Sequence, residues 1–163
     1  MAAVDYFLKI AGIDGESTDN AHKGEIDIES WAWGESNSGG SATSVGAGVG
    51  AGKVTTNDFS FVMKLNKASP KLFLACAQGE HIKSAWLTAH RAGGKQADYF
   101  LKWSFSDLLI SSYQTGASEN TNPTDQVSFN FSKIEVEYKQ QKPDGTLSPS
   151  IKAGWNLKTN KKI

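Results

Sequence analysis

Three carboxylates, Glu25, Asp27 and Glu29, stand two residues apart along one segment. On an extended strand that spacing puts all three on one face, because successive side chains alternate. Paired carboxylates at such range do acid–base work on a glycosidic bond. A solvated acidic stripe, or one set against a Lys or Arg of a neighbouring subunit, explains the spacing without chemistry. The stretch Gly46 to Lys53 superficially resembles a phosphate loop. It lacks the glycine five places before Gly52, where Ala47 stands, and the hydroxyl after Lys53, where Val54 stands. The dinucleotide fingerprint fails at Ala51. His22, His81 and His90 show no zinc-protease spacing and read as surface or loop histidines. Cys76 is the sole thiol, so neither an intrachain disulfide nor a CxxC metal site is possible. It reads as a small buried apolar residue of a protein made in a reducing compartment. Trp31, Trp33 and Trp155 could stack a sugar or a peptide, although aromatics on strands more simply serve core or interface. No catalytic, cofactor-binding or metal-ligating set emerges, and the residues point away from an enzyme.

The elements that hold these residues are mostly strands. Val4, Tyr6, Leu8 and Ile10 alternate with Asp5 and Lys9 as a half-buried first strand, turned by Gly12 to Gly15. Gly24 to Gly34 reads as the next strand, with Ile26 and Ile28 on one face and Asp27, Glu29, Trp31 and Trp33 on the other. Thr55 to Leu65 places Phe59, Phe61, Met63 and Leu65 on one face. A short helix over about residues 69–79 follows, with Ser69 as N-cap, Pro70 at its first position, Gly79 as its stop, and Leu72, Phe73, Cys76 and Ala77 as its apolar stripe. Ile82 to Arg91 and Ala97 to Trp103 read as strands joined by a Gly93-Gly94 hairpin, then Phe105 to Tyr113 as another. Gln126 to Lys139 reads as the longest strand, followed by an Asp144-Gly145 turn and a last strand over Ile151 to Leu157.

That long strand changes phase. Val127, Phe129 and Phe131 are odd-numbered, whereas Ile134, Val136 and Tyr138 are even-numbered. A bulge near Ser132 resets the phase, or each half buries a different face, one against the core and one against another subunit. Strands without βαβ alternation predict an antiparallel barrel or sandwich, in one domain over residues 1–163. Residues 36–52 are mostly Gly, Ser and Ala. A structureless segment that long is uncommon in a compact domain, and it suits a surface that orders against a partner.

Charge bounds the partners. Seventeen Lys and Arg balance seventeen Asp and Glu, so no basic footprint for nucleic acid is expected. The chain lacks an apolar run of the roughly 20 residues that span a bilayer. The opening Met1-Ala-Ala-Val has no basic segment before an apolar core, so any export is expected to bypass the general signal-peptide route. Zero net charge also removes the self-repulsion that keeps copies apart.

Several stretches are familiar together and in order: VDYFLKIAGIDGES, HKGEIDIESWAWG, ASPKLFLACAQGEHI, RAGG, LLISSYQTG, VSFNFSKIEVEYKQQKPDG and AGWNLKTNKK. They resemble the Hcp family, the haemolysin-coregulated proteins of type VI secretion, over almost the whole chain. The resemblance implies a mainly β fold, a compact antiparallel barrel of two sheets with one flanking helix. It implies six-membered rings that stack into a tube within a contractile sheath, beneath a VgrG spike. It implies a protein that is cytoplasmic before firing and is then ejected, and that carries and chaperones small effectors in the ring lumen. Some members end in a toxin domain; this chain is expected to carry cargo non-covalently. If Trp31 and Trp33 face the core, Ser30 and Ala32 face away from it and are expected to line the lumen. Gly39, Gly46, Gly48, Gly50 and Gly52 are the expected ring-stacking loop. The rivals are a monomeric β-sandwich that binds carbohydrate or peptide on its tryptophans, and a hydrolase using Glu25, Asp27 or Glu29.

Overall fold

The computed structural model describes residues 3–37, 53–91 and 98–163. The chain runs through β1 (Val4–Ile10), β2 (Ile26–Ile28), β3 (Ser30–Ala32), β4 (Glu35–Asn37), β5 (Val54–Thr56), β6 (Phe59–Lys64), α1 (Ser69–Gln78), β7 (His81–Arg91), β8 (Leu101–Gly116), β9 (Thr124–Asn130), β10 (Lys133–Tyr138), β11 (Ile151–Asn156) and β12 (Lys161–Lys162). The mainly β, antiparallel class with one short helix is as expected.

β8 organises the sheet. One path runs β12-β11-β10-β8-β7-β1-β2, and a branch from β8 runs β9-β6-β3. The first half of β8 pairs with β10, and the second half pairs with β9. Between the halves Asp107 adopts φ 56°, the left-handed region that Asp tolerates better than most residues. This bend lets one strand serve where the sequence suggested two. Among the described residues the strand ladders do not close a full barrel. Between β2 and β6 the chain is bridged by one backbone bond, Glu29 N donating to Val62 O at 2.9 Å. β4 and β5 form a separate two-stranded pair, so strand structure takes up Ser36 and Asn37 at the start of the segment expected to be loop, while β5 begins beyond its end.

The phase change in the predicted long strand is a break. β9 ends at Asn130, Phe131 and Ser132 turn the corner, and β10 starts at Lys133. Ser132 N donates to Ser106 O, and Leu157 N donates to Ser132 O, so the corner is itself hydrogen-bonded. Val127, Phe129, Phe131 and Ile134 consequently all enter one core. A second apolar face is not needed to explain the pattern.

The same thing happens earlier. The predicted strand over Gly24 to Gly34 breaks at Glu29, which separates β2 from β3. Ile26 and Ile28 are buried, and Trp31, of opposite parity in an unbroken strand, also packs on the core. Within the core Phe59, Phe105 and Phe129 lie 4.8–5.1 Å apart, ring to ring. Such pairs add about 0.5–1.5 kcal/mol each beyond their burial. Leu65 falls past the end of β6 and is exposed, unlike its predicted partners.

The helix differs from expectation at its start. Ala68 is the N-cap residue, and no side chain caps the helix. Ser69 is instead buried, its hydroxyl donating to Asp125 Oδ2 at 2.5 Å. Tyr113 donates to the same oxygen at 3.0 Å, so Asp125 ties α1 to β8 and β9. Gly79 does end the helix, at φ 62° and ψ 38°, with its N–H bonded back to Cys76 O. The buried stripe is Ser69, Leu72 and Ala75, whereas Phe73 and Ala77 are exposed.

Candidate assembly and cargo surfaces

The outward face of β3, β6, β9 and the second half of β8 is set by strand register. Ala32 lies opposite Ser60, Ser60 opposite Ser128, and Ser128 opposite Ser112. The next row runs Ser30, Val62, Gln126, Gln114. All eight residues of these two rows are uncharged, and seven are Ser, Ala or Gln, with Val62 the exception. The alternate residues Phe59, Phe61, Val127 and Phe129 point inward and are buried. Ser30 and Ala32 are exposed. Sequence reasoning missed their neighbours, because cross-strand register is invisible until pairing is known.

Asp27 and Glu29 line the same hollows, whereas Glu25 is engaged by a histidine. Glu25 lies before β2 begins, and its Oε2 accepts from His22 Nδ1 at 2.9 Å. Asp27 and Glu29 are exposed. Burial of part of the group, reinforced by Asp5 and Asp19 nearby, pushes the Asp27 carboxyl above its usual range. Glu25 is thus engaged by a histidine and does not stand free beside Asp27 and Glu29. No group of three His, Cys, Asp or Glu able to hold a metal is present among the described residues.

His22 is not a surface residue. It is 7% exposed, stacks on Phe7 at 4.4 Å, and meets His90 Nε2 through its own Nε2 at 2.5 Å. A carboxylate only accepts, so in neutral His22 the Glu25 contact puts the proton on Nδ1 and leaves Nε2 to accept from His90. Burial, and then the neighbouring His22, lower the His90 pKa below the ordinary histidine value. The partners are 68 residues apart in sequence, which is why spacing rules missed them.

Trp31 and Trp33 part company. Trp31 stacks against Phe59 at 6.0 Å. Trp33, with Trp103 and Trp155, lines an open cleft of about 540 Å³ beside β4 and β5. Other apolar groups face outward: Phe73 on α1 is 58% exposed, and Ile151 at the start of β11 is 72% exposed. Cys76 is a half-buried free thiol packed on the core. The stacking-loop glycines Gly39, Gly46, Gly48, Gly50 and Gly52, and the Gly93-Gly94 turn, lie outside the described residues. Among the described residues no helix is long and apolar enough to cross a membrane.

The described residues form a mainly β, antiparallel fold with one short helix and two uncharged outer rows across β3, β6, β9 and β8. Residues 7–138 match the family model described as Type VI secretion system effector, Hcp. The chain is 43% identical over 160 residues to Protein hcp1 of Pseudomonas aeruginosa, covering 97% of this chain and 98% of that one. The fold matches the crystal structure of Hcp1 from Salmonella typhimurium with a TM-score of 0.82 at 36% identity, covering 100% of both chains. It also matches a solved type six secretion system protein with a TM-score of 0.91 at 30% identity, over 99% of this chain and 100% of that one. The chain belongs to the Hcp family of type VI secretion proteins.

Proposed function

We propose that this chain is the repeating subunit of the type VI inner tube. Six copies close a ring, rings stack through their loop faces, and the tube sits within a contractile sheath beneath a VgrG spike. The protein waits in the cytoplasm and is then driven out of the cell or into a target cell. It works by assembly and carriage, without turnover and without a cofactor. Gly39, Gly46, Gly48, Gly50 and Gly52 are the ring-stacking positions in this reading.

The observation that carries the cargo role is the pair of cross-strand rows beginning at Ala32 and Ser30. A lumen wall must hold an effector and then release it. Small neutral polar groups give short-range hydrogen bonding without deep apolar burial or fixed charge, so no single contact becomes too strong to break. Six such faces around a hole would make a neutral, mildly polar channel.

Size exclusion with light scattering, followed by negative-stain imaging of the same peak, tests the ring. The expected result is a mass near six times that of the chain and annular particles. A monomer at high concentration that binds a saccharide would replace this reading with the sandwich-module one.

A further inference from the structure

The chain is neutral overall, yet its charges are segregated. Residues 1–37 hold eight carboxylates and two lysines, whereas residues 133–163 hold seven lysines and three carboxylates. Glu35 on β4 shares a cleft with β11, whereas the carboxylates around β1 and β2 lie at the other end of the strand order. β12 and β11 stand at one end of the strand order, and β1 and β2 at the other.

Each flank is poorly balanced within its own copy. On the basic flank, Lys152, Lys161 and Lys162 are exposed and make no ion pair among the described residues. Beside them Ile151 is the most exposed large apolar residue described, and β11 pairs with β12 only from Trp155 onward. Among the described residues no strand pairs with the outer edge of Ile151–Ala153, the kind of edge that natural proteins cover or pair. On the acidic flank a hollow of about 380 Å³ has Val4, Tyr6 and Phe7 in its wall, with Asp5, Asp19 and Asp27 around them. Partial burial, and then the like charges of Asp5 and Asp19, push the Asp27 carboxyl above its usual range there. An adjoining hollow of about 350 Å³ carries Glu16 and Glu29, with Lys64 as its one cation among the described residues.

We infer that the subunit contact seats the β11–β12 flank of one copy, led by Ile151 and Lys152, against the acidic hollow of the next copy. The inference rests on the ring reading and names the surfaces that close it. A head-to-tail contact needs two different, complementary patches on one chain. An apolar knob amid lysines and an apolar-floored hollow amid carboxylates meet that need. Neither flank is self-complementary, so the contact propagates around a ring rather than stopping at a two-fold dimer. Exposed charge pairs are screened by salt, so the contact should weaken as ionic strength rises.

The test uses three variants of the full chain: Asp27→Lys with Glu29→Lys, Lys152→Glu with Lys161→Glu, and all four together. Light scattering over a dilution series at low and high salt reads the assembly, and circular dichroism melting reports whether each variant folds. Each one-sided variant should dissociate at concentrations at least tenfold above wild type, and the four-fold variant should recover annuli. Ile151→Asp, a change at a solvent-exposed site, should dissociate the ring with the melt unchanged. Annuli of undiminished stability in both one-sided variants would overturn the inference while leaving the ring reading intact. Intact rings that fail only to stack would also overturn it, by moving the contact to the ring faces. So would failure of the four-fold variant to recover. Absence of annuli from the wild type itself would sink the ring reading and this contact with it.

Discussion

The β3–β6–β9 side and the β10–β11–β12 side of this molecule dispose of their apolar residues in opposite ways. On the first, large apolar side chains point inward, and the outer rows are Ser, Ala and Gln with a single Val. On the second, apolar groups run out past the core. Ile134 is buried, Val136 is half-buried, and Tyr138 and its cross-strand partner Ile151 are exposed. Strand alternation operates on both sides. The difference lies in what covers the inward face: a filled phenylalanine core in one case, an open cleft and solvent in the other. A finished surface suits a wall that must not grip its contents, and an unfinished one suits a contact.

The largest effect should come from breaking the finished side from within. Phe129 is fully buried and meets Phe59 and Phe105. Phe129→Ala should cost about 3–5 kcal/mol in urea unfolding. Truncation of Ile151 to Ala should cost the isolated chain little, within about 0.5 kcal/mol, as for exposed sites generally. Equal losses at the two sites would erase the contrast.

Next comes the link between the helix and this side. Asp125→Ala leaves the Ser69 and Tyr113 hydroxyls without their shared acceptor. A loss of about 1–3 kcal/mol is expected, read by thermal or urea unfolding. The same deletion should not alter residues on β11, which a backbone NMR shift map would check.

A smaller, pH-dependent effect belongs to the His22–His90 pair. The folded His90 pKa is depressed, so the unfolded chain binds its proton first as acid is added. Stability from this group is present above the ordinary histidine pKa of about 6.5 and declines as pH falls from there toward the lower folded value. Melting temperatures between pH 7.5 and 5 should therefore fall more steeply in wild type than in His90→Gln. Parallel slopes would remove the pair from the account.

The smallest effect on folding should be the most telling for cargo. Ala32→Gln puts a bulky polar group on the exposed row without touching the core. Ring mass and melting temperature should stay at wild-type values, while protection of an effector from protease falls. Unchanged protection would take Ala32 off the lumen wall.

Much of the strand content was legible because a period of two in Val4 to Ile10 and Phe59 to Met63 reports a buried face directly. The phase conflict across Ser132 was visible too, but its resolution as a break depended on the backbone bonds of Ser132 to β8 and to Leu157. The helix was found from Pro70 and Gly79, and its first residue was misassigned because Ser69 had a better partner in Asp125, far along the chain. At the candidate site, Ser30 and Ala32 were reached by alternation from two tryptophans. Their companions Ser60 and Ser128 were not, since nothing local distinguishes one outward serine from another.

The sequence by itself determined the class, the antiparallel strands, the short helix and the lack of a catalytic motif, because these depend on residue type and short-range periodicity. It also carried the family, through motifs in order along nearly the whole chain. Only the tertiary structure decided which residues share a surface. It joined His22 to His90, engaged Glu25 with His22, aligned the neutral rows, and set a basic flank and an acidic flank at opposite ends of the strand order. Those outcomes follow from register and strand breaks, which are settled by long-range pairing and by the competition of buried side chains for one core, and neither is encoded in any short stretch of chain.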